Sequence, residues 1–239
     1  MLTPGRQTSP ADFTPDMRLK AAEYQKAEAD RLTQDWPWLC RFADKNAALV
    51  KSGNLPRVVF IGDSITENWL RADPVFFSGD VANRGIGGQT SGQILLRFYQ
   101  DVVALHPSVV HIMAGTNDVA GNLGPETDET ILDNIQAMID IAQANHIRVI
   151  LASIPPCKIF MLKPNLKPAH RIKELDEKLR QIAAARNIVY VDYYAELSDN
   201  EGGSLATLSN DGVHPNRDGY RLMRPLAEQA IAQAASSKP

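Results

Sequence analysis

Cysteine is scarce in this sequence, and long apolar runs and blocks of basic residues are absent. Its two cysteines, Cys40 and Cys157, are too few for a disulfide framework and lack the CxxC spacing of a zinc site. They are best interpreted as unlinked thiols, although one bridge between them stays open. No apolar run reaches the roughly 20 residues that a membrane span needs. With a formal net charge of −3 and no basic block, the composition gives no support for a nucleic-acid partner.

What is present is typical of a globular protein. Hydrophobic residues make up 44% and charged residues 22% of the 239 residues. That length fits one large α/β domain, although length alone also allows two small ones. Such a chain can bury a sizeable core without metals or disulfides. Nothing in the composition assigns an oligomeric state.

The first part of the chain differs from the rest. Residues 1–15 are polar, lack the charged and then apolar pattern of a signal peptide, and are predicted to be a disordered lead-in. We therefore expect a cytoplasmic protein, or a periplasmic or secreted one if a signal peptide was removed. Residues 16–54 are predicted to form a helical N-terminal extension, because residues 16–34 are strong helix formers and a second short helix follows. Asn54-Leu55-Pro56 then breaks the chain.

The remainder, residues 55–239, is predicted to be one domain in which strands and helices alternate. Short apolar runs predict strands at 58–61, 80–83, 109–113, 149–151 and 188–191. Helical patterns occupy residues 91–104, 129–144, 171–186 and 217–235. This alternation predicts a three-layer α/β/α domain with about five parallel strands.

Polar segments stand where a site is expected in such a sheet, beyond the carboxyl ends of the strands. Ser64 follows the first strand, and Asp211 and His214 lie together near the C-terminus. A serine is a weak nucleophile until a base takes its proton, and that base must be oriented by a third group. In a tight turn, the spacing of Asp211 and His214 lets the carboxylate reach Nδ1 of the imidazole and leaves Nε2 free. Ser64, His214 and Asp211 are therefore the candidate nucleophile, base and orienting acid.

Acyl transfer also needs hydrogen-bond donors aimed at the developing oxyanion. The candidates are the backbone N–H groups of Ser64 and Gly88 and the side-chain amide of Asn117, which follow three successive strands. Glycine at position 88 lets the backbone approach a substrate closely.

Each of these residues also has an ordinary structural interpretation. Ser64 could cap the helix after the first strand, and Asp63 and Asn117 could be turn residues that bond local amides. Gly88 could lie in a flexible loop, and Asp211 and His214 could form a surface turn with a solvated histidine. The coincidence of four such segments at the ends of one predicted sheet favours a site.

Other functional motifs are missing. There is no GxSxG elbow, which disfavours the α/β-hydrolase fold. The glycines from Gly85 do not complete GxGxxG, and no GxxxxGK(S/T) occurs. A flavin-binding domain would share the fold class, but Asp63 would repel its phosphate. The remaining histidines, which we expect to be structural or solvated, show no metal-ligand spacing: His106, His111, His146 and His170.

The four segments together resemble the sequence blocks of the SGNH hydrolases, also called GDSL-like lipases or acylhydrolases. They are Gly62-Asp63-Ser64, Gly88, Gly115-Thr116-Asn117-Asp118 and Asp211-Gly212-Val213-His214, and the resemblance covers residues 57–235. Ile65 stands where the family's nickname has Leu. The stretch 83–90 is similar to the branch of platelet-activating-factor acetylhydrolase-like proteins and bacterial acyl esterases.

The resemblance implies a flavodoxin-like fold and a serine-dependent carboxylic ester hydrolase that needs no metal or cofactor. By it, Ser64 is the nucleophile, His214 the base and Asp211 its partner, with oxyanion donors at Ser64, Gly88 and Asn117. The expected partner is a small-molecule ester with a short, acetyl-like acyl group. The alternatives are a lysophospholipase or thioesterase of the same fold and a catalytically silent binding domain.

One connection is unusually long for an α/β unit, in which about 2–6 residues are common. It runs from residue 155 to 169 and carries four large apolar side chains: Ile159, Phe160, Met161 and Leu162. These side chains could form an apolar wall of the site or simply pack over the sheet edge. Three lysines in the same loop, Lys158, Lys163 and Lys167, favour a polar or anionic leaving group.

Overall fold

The computed structural model describes residues 14–236, and its centre is a sheet of five parallel strands. The strands are β1 (Val58–Gly62), β2 (Val81–Gly85), β3 (Val109–Met113), β4 (Arg148–Ala152) and β5 (Val189–Val191). Their order, β2-β1-β3-β4-β5, is that of flavodoxin-like folds. The predicted strands are confirmed, with ends shifted by no more than about two residues.

Helices cover both faces of the sheet because alternate residues of each strand point to opposite sides. The helices are α1 (Pro15–Gln34), α2 (Ala43–Ser52), α3 (Ser64–Ala72), α4 (Ser91–Leu96), α5 (Phe98–Asp101), α6 (Thr116–Val119), α7 (Asp128–Ala144), α8 (Pro168–Ala185), α9 (Tyr193–Leu197) and α10 (Arg217–Ser236). Val59 and Ile61 of β1 pack into the core formed with α4, α5, α7 and α8. Val58 and Phe60 pack into the core formed with α3, α9 and α10. The three-layer α/β/α prediction is therefore confirmed.

The prediction of one continuous helix over residues 91–104 is wrong. The segment is divided into α4, α5 and a final 3₁₀ turn, Val103–Leu105. The first break falls at Arg97, whose backbone leaves helical geometry (φ −98°, ψ 1°). At this break the Arg97 guanidinium reaches backbone carbonyls of the sheet. The prediction also missed the short helices α6 and α9, which offer too few turns for a clear periodic pattern.

The N-terminal extension is helical, as expected, but its helices differ in detail. Helix α1 begins at Pro15, and none of its described side chains is buried. The second predicted helix consists of a 3₁₀ turn, Leu39–Phe42, and α2, which ends at Gly53 with a positive φ of 71°. Apart from Thr14 and Pro15, the predicted lead-in lies outside the described residues, as do residues 237–239.

Two sequence-based expectations concern chemistry rather than topology. Both cysteines are free thiols, with Cys40 exposed and Cys157 buried. Within residues 14–236, no helix has the length and apolar character needed to cross a bilayer.

Candidate active site

Ser64 lies at the first helical position of α3, directly beyond the end of β1. The helix is capped by Asp63, whose carboxylate accepts the backbone N–H of Ile65 at 2.9 Å. The alternative in which Ser64 caps this helix is therefore wrong. A side chain at Gly62 would place its Cβ 2.3 Å from Thr66 Oγ1, so only glycine fits where the strand meets the helix.

Ser64, His214 and Asp211 form one hydrogen-bonded chain. Ser64 Oγ lies 2.9 Å from His214 Nε2, and His214 Nδ1 lies 2.6 Å from Asp211 Oδ2. The second oxygen of Asp211 accepts the backbone N–H groups of Val213 and His214, at 2.9 and 2.8 Å. The carboxylate thus holds the loop with one oxygen and the imidazole with the other, as the spacing of the two residues predicts.

The charges in this chain suit proton transfer. Burial would raise the pKa of Asp211, but the hydrogen bond and charge of His214 and two backbone N–H groups lower it to about 2. Burial would likewise lower the pKa of His214, yet Asp211 and the nearby Asp63 carboxylate raise it overall. Asp211 is therefore an anion at neutral pH, and the imidazole is a stronger base than an isolated histidine.

Asn117 lies in the first turn of α6 with its side chain buried. Its Nδ2 donates to the carbonyl oxygen of Gln89 at 3.0 Å and to Asp63 Oδ2 at 3.3 Å, and its Oδ1 accepts from Asn122 Nδ2 at 2.7 Å. The bond to Asp63 is the longer of the two donated bonds, so this N–H is held less closely by its acceptor than the one bonded to Gln89.

The two backbone candidates for oxyanion donors occupy special positions. Gly88 has a φ of 78°, in the left-handed region that favours glycine. The N–H of Ser64 belongs to the first turn of α3, where backbone N–H groups have no acceptor within the helix. Both groups, like Asn117, lie beyond the carboxyl ends of the strands.

Asp63 has a larger role in the structure than a local turn residue. It is buried between the nucleophile loop and Asn117, and burial raises its pKa to about 6 despite the backbone bond from Ile65 and the charge of His214. The sequence analysis considered Asp63 as a local turn residue and as an argument against a phosphate ligand, but did not predict its contact with Asn117. Its contact with Asn117 joins two segments far apart in the chain.

A fully buried guanidinium, that of Arg97, lies below these loops. It donates to the carbonyl oxygens of Gly62 and Arg84, each at 2.8 Å, and to Gln89 Oε1 at 2.6 Å. It also pairs with Asp101 at 3.0 Å. Burial lowers the pKa of Arg97 to about 10, with Asp101 opposing the change, so the group stays charged at neutral pH. The sequence analysis missed it, although an arginine among the apolar residues Ile94, Leu95 and Phe98 was a usable signal.

The N-terminal extension completes this buried network. Asn46 of α2 donates to Asp101 Oδ1 at 2.7 Å and accepts from the guanidinium of Arg84 at 2.7 and 3.0 Å. The carbonyl oxygen of Pro37 accepts from Gln89 Nε2 at 2.8 Å. The extension is therefore bonded to the residues that support Gly88 and Asn117.

The long connection after β4 contributes packing. Phe160 is buried in the core, as the packing alternative expects, whereas Leu162 is 74% exposed. Lys158 pairs with Asp199 at 2.9 Å and with Glu201. Lys163 donates to two backbone carbonyls of the loop after Asn117. Two of the three lysines that favoured an anionic leaving group are thus already engaged within the protein.

A cleft of about 810 Å³ opens beyond the ends of β4 and β5, on the same sheet edge as Ser64. Most of its lining residues have polar side chains, among them Lys158, Lys167, Lys173, Tyr194 and Asp199. Neither Ser64 nor His214 lines it, so the cleft lies beside the catalytic candidates rather than around them.

The other histidines have structural or solvated surroundings. His111 is buried, bonded to the Tyr193 hydroxyl at 3.0 Å, and burial lowers its pKa to about 3. His170 pairs with Glu174 on the surface of α8, and His106 and His146 are exposed. In the part of the chain that the structure describes, no three His, Cys, Asp or Glu residues are placed to hold a metal ion.

The five-stranded α/β/α fold is that of an acylhydrolase class, and the sequence comparison identifies the family. The chain belongs to the GDSL-like lipase/acylhydrolase family, whose sequence profile matches residues 60–222. A GDSL-like lipase from Bacteroides thetaiotaomicron is 41% identical, with a TM-score of 0.79 over 84% of this chain and 100% of that one. An acetylxylan esterase from Geobacillus stearothermophilus is 27% identical over 207 residues, which are 73% of this chain and 93% of that enzyme.

More distant structures share the fold alone. The Geobacillus stearothermophilus acetylxylan esterase Axe2, solved as a catalytic mutant, superposes with a TM-score of 0.60 at 20% identity over 73% of this chain and 93% of that one. Family membership makes the protein a hydrolase of the esterase type.

Proposed function

We propose that this protein hydrolyses carboxylic esters through an acyl-enzyme on Ser64. The observation that carries the proposal is the chain of hydrogen bonds from Ser64 through His214 to Asp211. This arrangement supplies a nucleophile, a base in reach of it and a carboxylate that fixes the tautomer of that base.

In the first step, Ser64 Oγ attacks the ester carbonyl carbon while its proton passes to His214 Nε2. The oxyanion that forms accepts hydrogen bonds from the N–H groups of Ser64 and Gly88 and from Asn117 Nδ2. When the tetrahedral intermediate collapses, the C–O bond to the alcohol breaks and the alcohol takes the proton from His214. A water molecule then gives a proton to His214 and attacks the acyl group, and the acid leaves as Ser64 regains its proton.

We further propose a short acyl group, such as acetyl, on a sizeable polar alcohol. The acetylxylan esterase relative supports the acetyl assignment by its name. The burial of Phe160 in the core also supports it, because this side chain cannot then line a trough for a long acyl chain. The cleft beyond β4 and β5 supports the polar alcohol, because side chains such as Lys167, Tyr194 and Ser198 can form hydrogen bonds with its hydroxyl groups.

The proposal is tested with Ser64→Ala. We expect kcat for p-nitrophenyl acetate to fall by about 10⁶-fold, because removal of a serine nucleophile has an effect of this order. A fluorophosphonate should label the wild-type protein at Ser64, as mass spectrometry of the labelled peptide can show, and should not label the variant. The thermal midpoint should change little.

Ser78→Ala is the matched control, since Ser78 is exposed and bonds only the carbonyl of Val75. It should keep full activity and labelling. Near-normal turnover by Ser64→Ala would show that another residue is the nucleophile. A wild-type protein without esterase activity and without labelling would support the silent binding domain instead.

A further inference from the structure

The amide of Asn117 can serve an oxyanion only in one of its two orientations. Rotation by 180° about the Cβ–Cγ bond exchanges N–H donors for a carbonyl oxygen, which would repel a developing negative charge. The partners of the amide decide the orientation. The backbone carbonyl of Gln89 can only accept, so the atom 3.0 Å from it must be Nδ2.

Asn122 holds the other end of this amide. Its Nδ2 donates to Asn117 Oδ1 at 2.7 Å, and its backbone N–H donates to the Asn117 carbonyl oxygen at 3.0 Å. The first bond would be lost if the Asn117 amide turned over, because two N–H groups would then face each other. Asn122 is itself exposed, so this bond is not needed to fill the core.

Lys163 holds the loop that carries Asn122. Its ammonium group donates to the carbonyl oxygens of Ala120 and Gly121, at 2.6 and 2.7 Å. Gly121 has a φ of 62°, so the chain turns sharply immediately before Asn122. The long connection after β4 is thus joined to the loop that follows Asn117.

We propose that Asn122 is a positioning residue for ester hydrolysis: it keeps the Asn117 amide in the orientation in which Nδ2, and not Oδ1, is available to the oxyanion, and Lys163 keeps Asn122 in place. The inference rests on the proposed function, and it adds two residues outside the four segments that resemble the family.

The first test is Asn122→Asp. A carboxylate cannot donate to Asn117 Oδ1, and its charge favours the reversed amide. We expect kcat to fall about 10–100-fold, bounded by the ~10²–10³-fold effect of losing an oxyanion donor, with KM within about threefold. Asn54→Asp is the charge-matched control at an exposed position away from the site, and it should leave kcat unchanged.

The second test asks whether Asn122 acts through Asn117. Asn117→Ala should lower kcat by about 10²–10³-fold. Because the amide is then gone, adding Asn122→Asp should change kcat by less than about twofold, the non-additivity expected of coupled residues. Full additivity in this double-mutant cycle would overturn the inference, as would an Asn122→Asp enzyme with normal kcat.

The third test concerns Lys163. Lys163→Met should lower kcat about 3–30-fold, which is part of the effect of losing an oxyanion donor. Lys163→Arg should retain most of the wild-type kcat, because a guanidinium can still donate to both carbonyl oxygens. Equal loss in both variants would overturn the role of Lys163. A wild-type enzyme that fails to hydrolyse any ester would refute the proposed function itself, a result distinct from an active enzyme indifferent to position 122.

Discussion

The turns at the two edges of the central sheet both contain residues with positive φ, but the residue types differ between the edges. At the amino edge, three exposed residues with positive φ stand two or three positions before the strands: His106 before β3, His146 before β4 and Asn187 before β5. At the carboxyl edge, glycines such as Gly88 and Gly115 take the positive-φ positions. The turns are similarly sharp at both edges, but only at the carboxyl edge are the neighbouring polar groups buried and bonded to one another.

Ion pairs show the same difference. Arg57 and Asp80, directly before β1 and β2, pair at 2.6 Å with side chains 47% and 53% exposed. Arg97 and Asp101, behind the carboxyl edge, pair at 3.0 Å with almost no exposure. A cavity of about 270 Å³ at the amino edge is lined by His146, Arg148 and Arg186 among others, and His146 is exposed. The two edges therefore differ in how far their charged groups are buried.

The largest effect that the comparison predicts within the carboxyl edge, after loss of the nucleophile, is that of Asp211→Asn. An amide at this position no longer fixes the imidazole tautomer, and kcat should fall by about 10⁴-fold. His146→Asn, which removes an imidazole from the amino edge, should leave kcat unchanged in the same assay. An Asp211→Asn enzyme within tenfold of wild type would show that the carboxylate is structural.

The pH profiles of the wild-type enzyme and of Asp211→Asn provide a further test of the role of Asp211. Only the neutral imidazole accepts the serine proton, so activity rises with pH as His214 loses its proton. Asp211 and Asp63 raise the pKa of His214, so the wild-type midpoint should lie above the ordinary histidine value of about 6.5. Removal of the Asp211 charge should lower the midpoint. A midpoint that rises in the variant would contradict this assignment of charges.

A smaller but measurable effect on stability is expected for the two ion pairs. Arg97→Met leaves Asp101 and two backbone carbonyls without their buried partner, and the free energy of unfolding should fall by about 3–5 kcal/mol. Arg57→Met removes an exposed pair and should cost about 0–1 kcal/mol. Urea denaturation of both variants measures the difference. Equal losses of unfolding free energy in the two variants would show that burial does not make the Arg97–Asp101 pair more important for stability than the exposed pair.

The smallest effect concerns the acyl chain. If the carboxyl edge held an apolar trough, each buried CH₂ would add about 0.8 kcal/mol, or about fourfold in kcat/KM. We expect the reverse: kcat/KM for p-nitrophenyl esters should be highest from acetyl to butyryl and fall severalfold by octanoyl. A series that rises steadily to octanoyl would favour a lipase-like enzyme and leave the Ser64 mechanism intact.

The sequence predicted those features whose cause is local. The strands could be predicted because continuous apolar runs such as residues 58–61 have few other uses in a chain of this composition. The pairing of Asp211 with His214 could be predicted because a short loop brings the two side chains together whatever the rest of the chain does. The bond from Asp63 to a local amide could also be predicted, because its partner is only two residues away in the chain.

Features that depend on distant contacts could not be predicted. Arg97 interrupts a helical pattern because carbonyls of β1 and β2 accept its guanidinium, and nothing near it in the chain indicates those acceptors. Lys163 looked like a surface charge available to a ligand, yet its acceptors lie more than forty residues away. Asn122 could be interpreted only once the orientation of Asn117 was known.

The bonds that Asn46 and Pro37 make have a consequence for where this protein begins as a cooperative unit. The family profile starts at residue 60, but the partners of Arg84, Asp101 and Gln89 lie before that point in the chain. A chain cut at residue 60 would lack these partners, and the buried side chains of Arg84, Asp101 and Gln89 would become accessible to water. We therefore expect the stretch from Pro37 to α2 to unfold together with the sheet, because it supplies hydrogen-bond partners of buried charged groups.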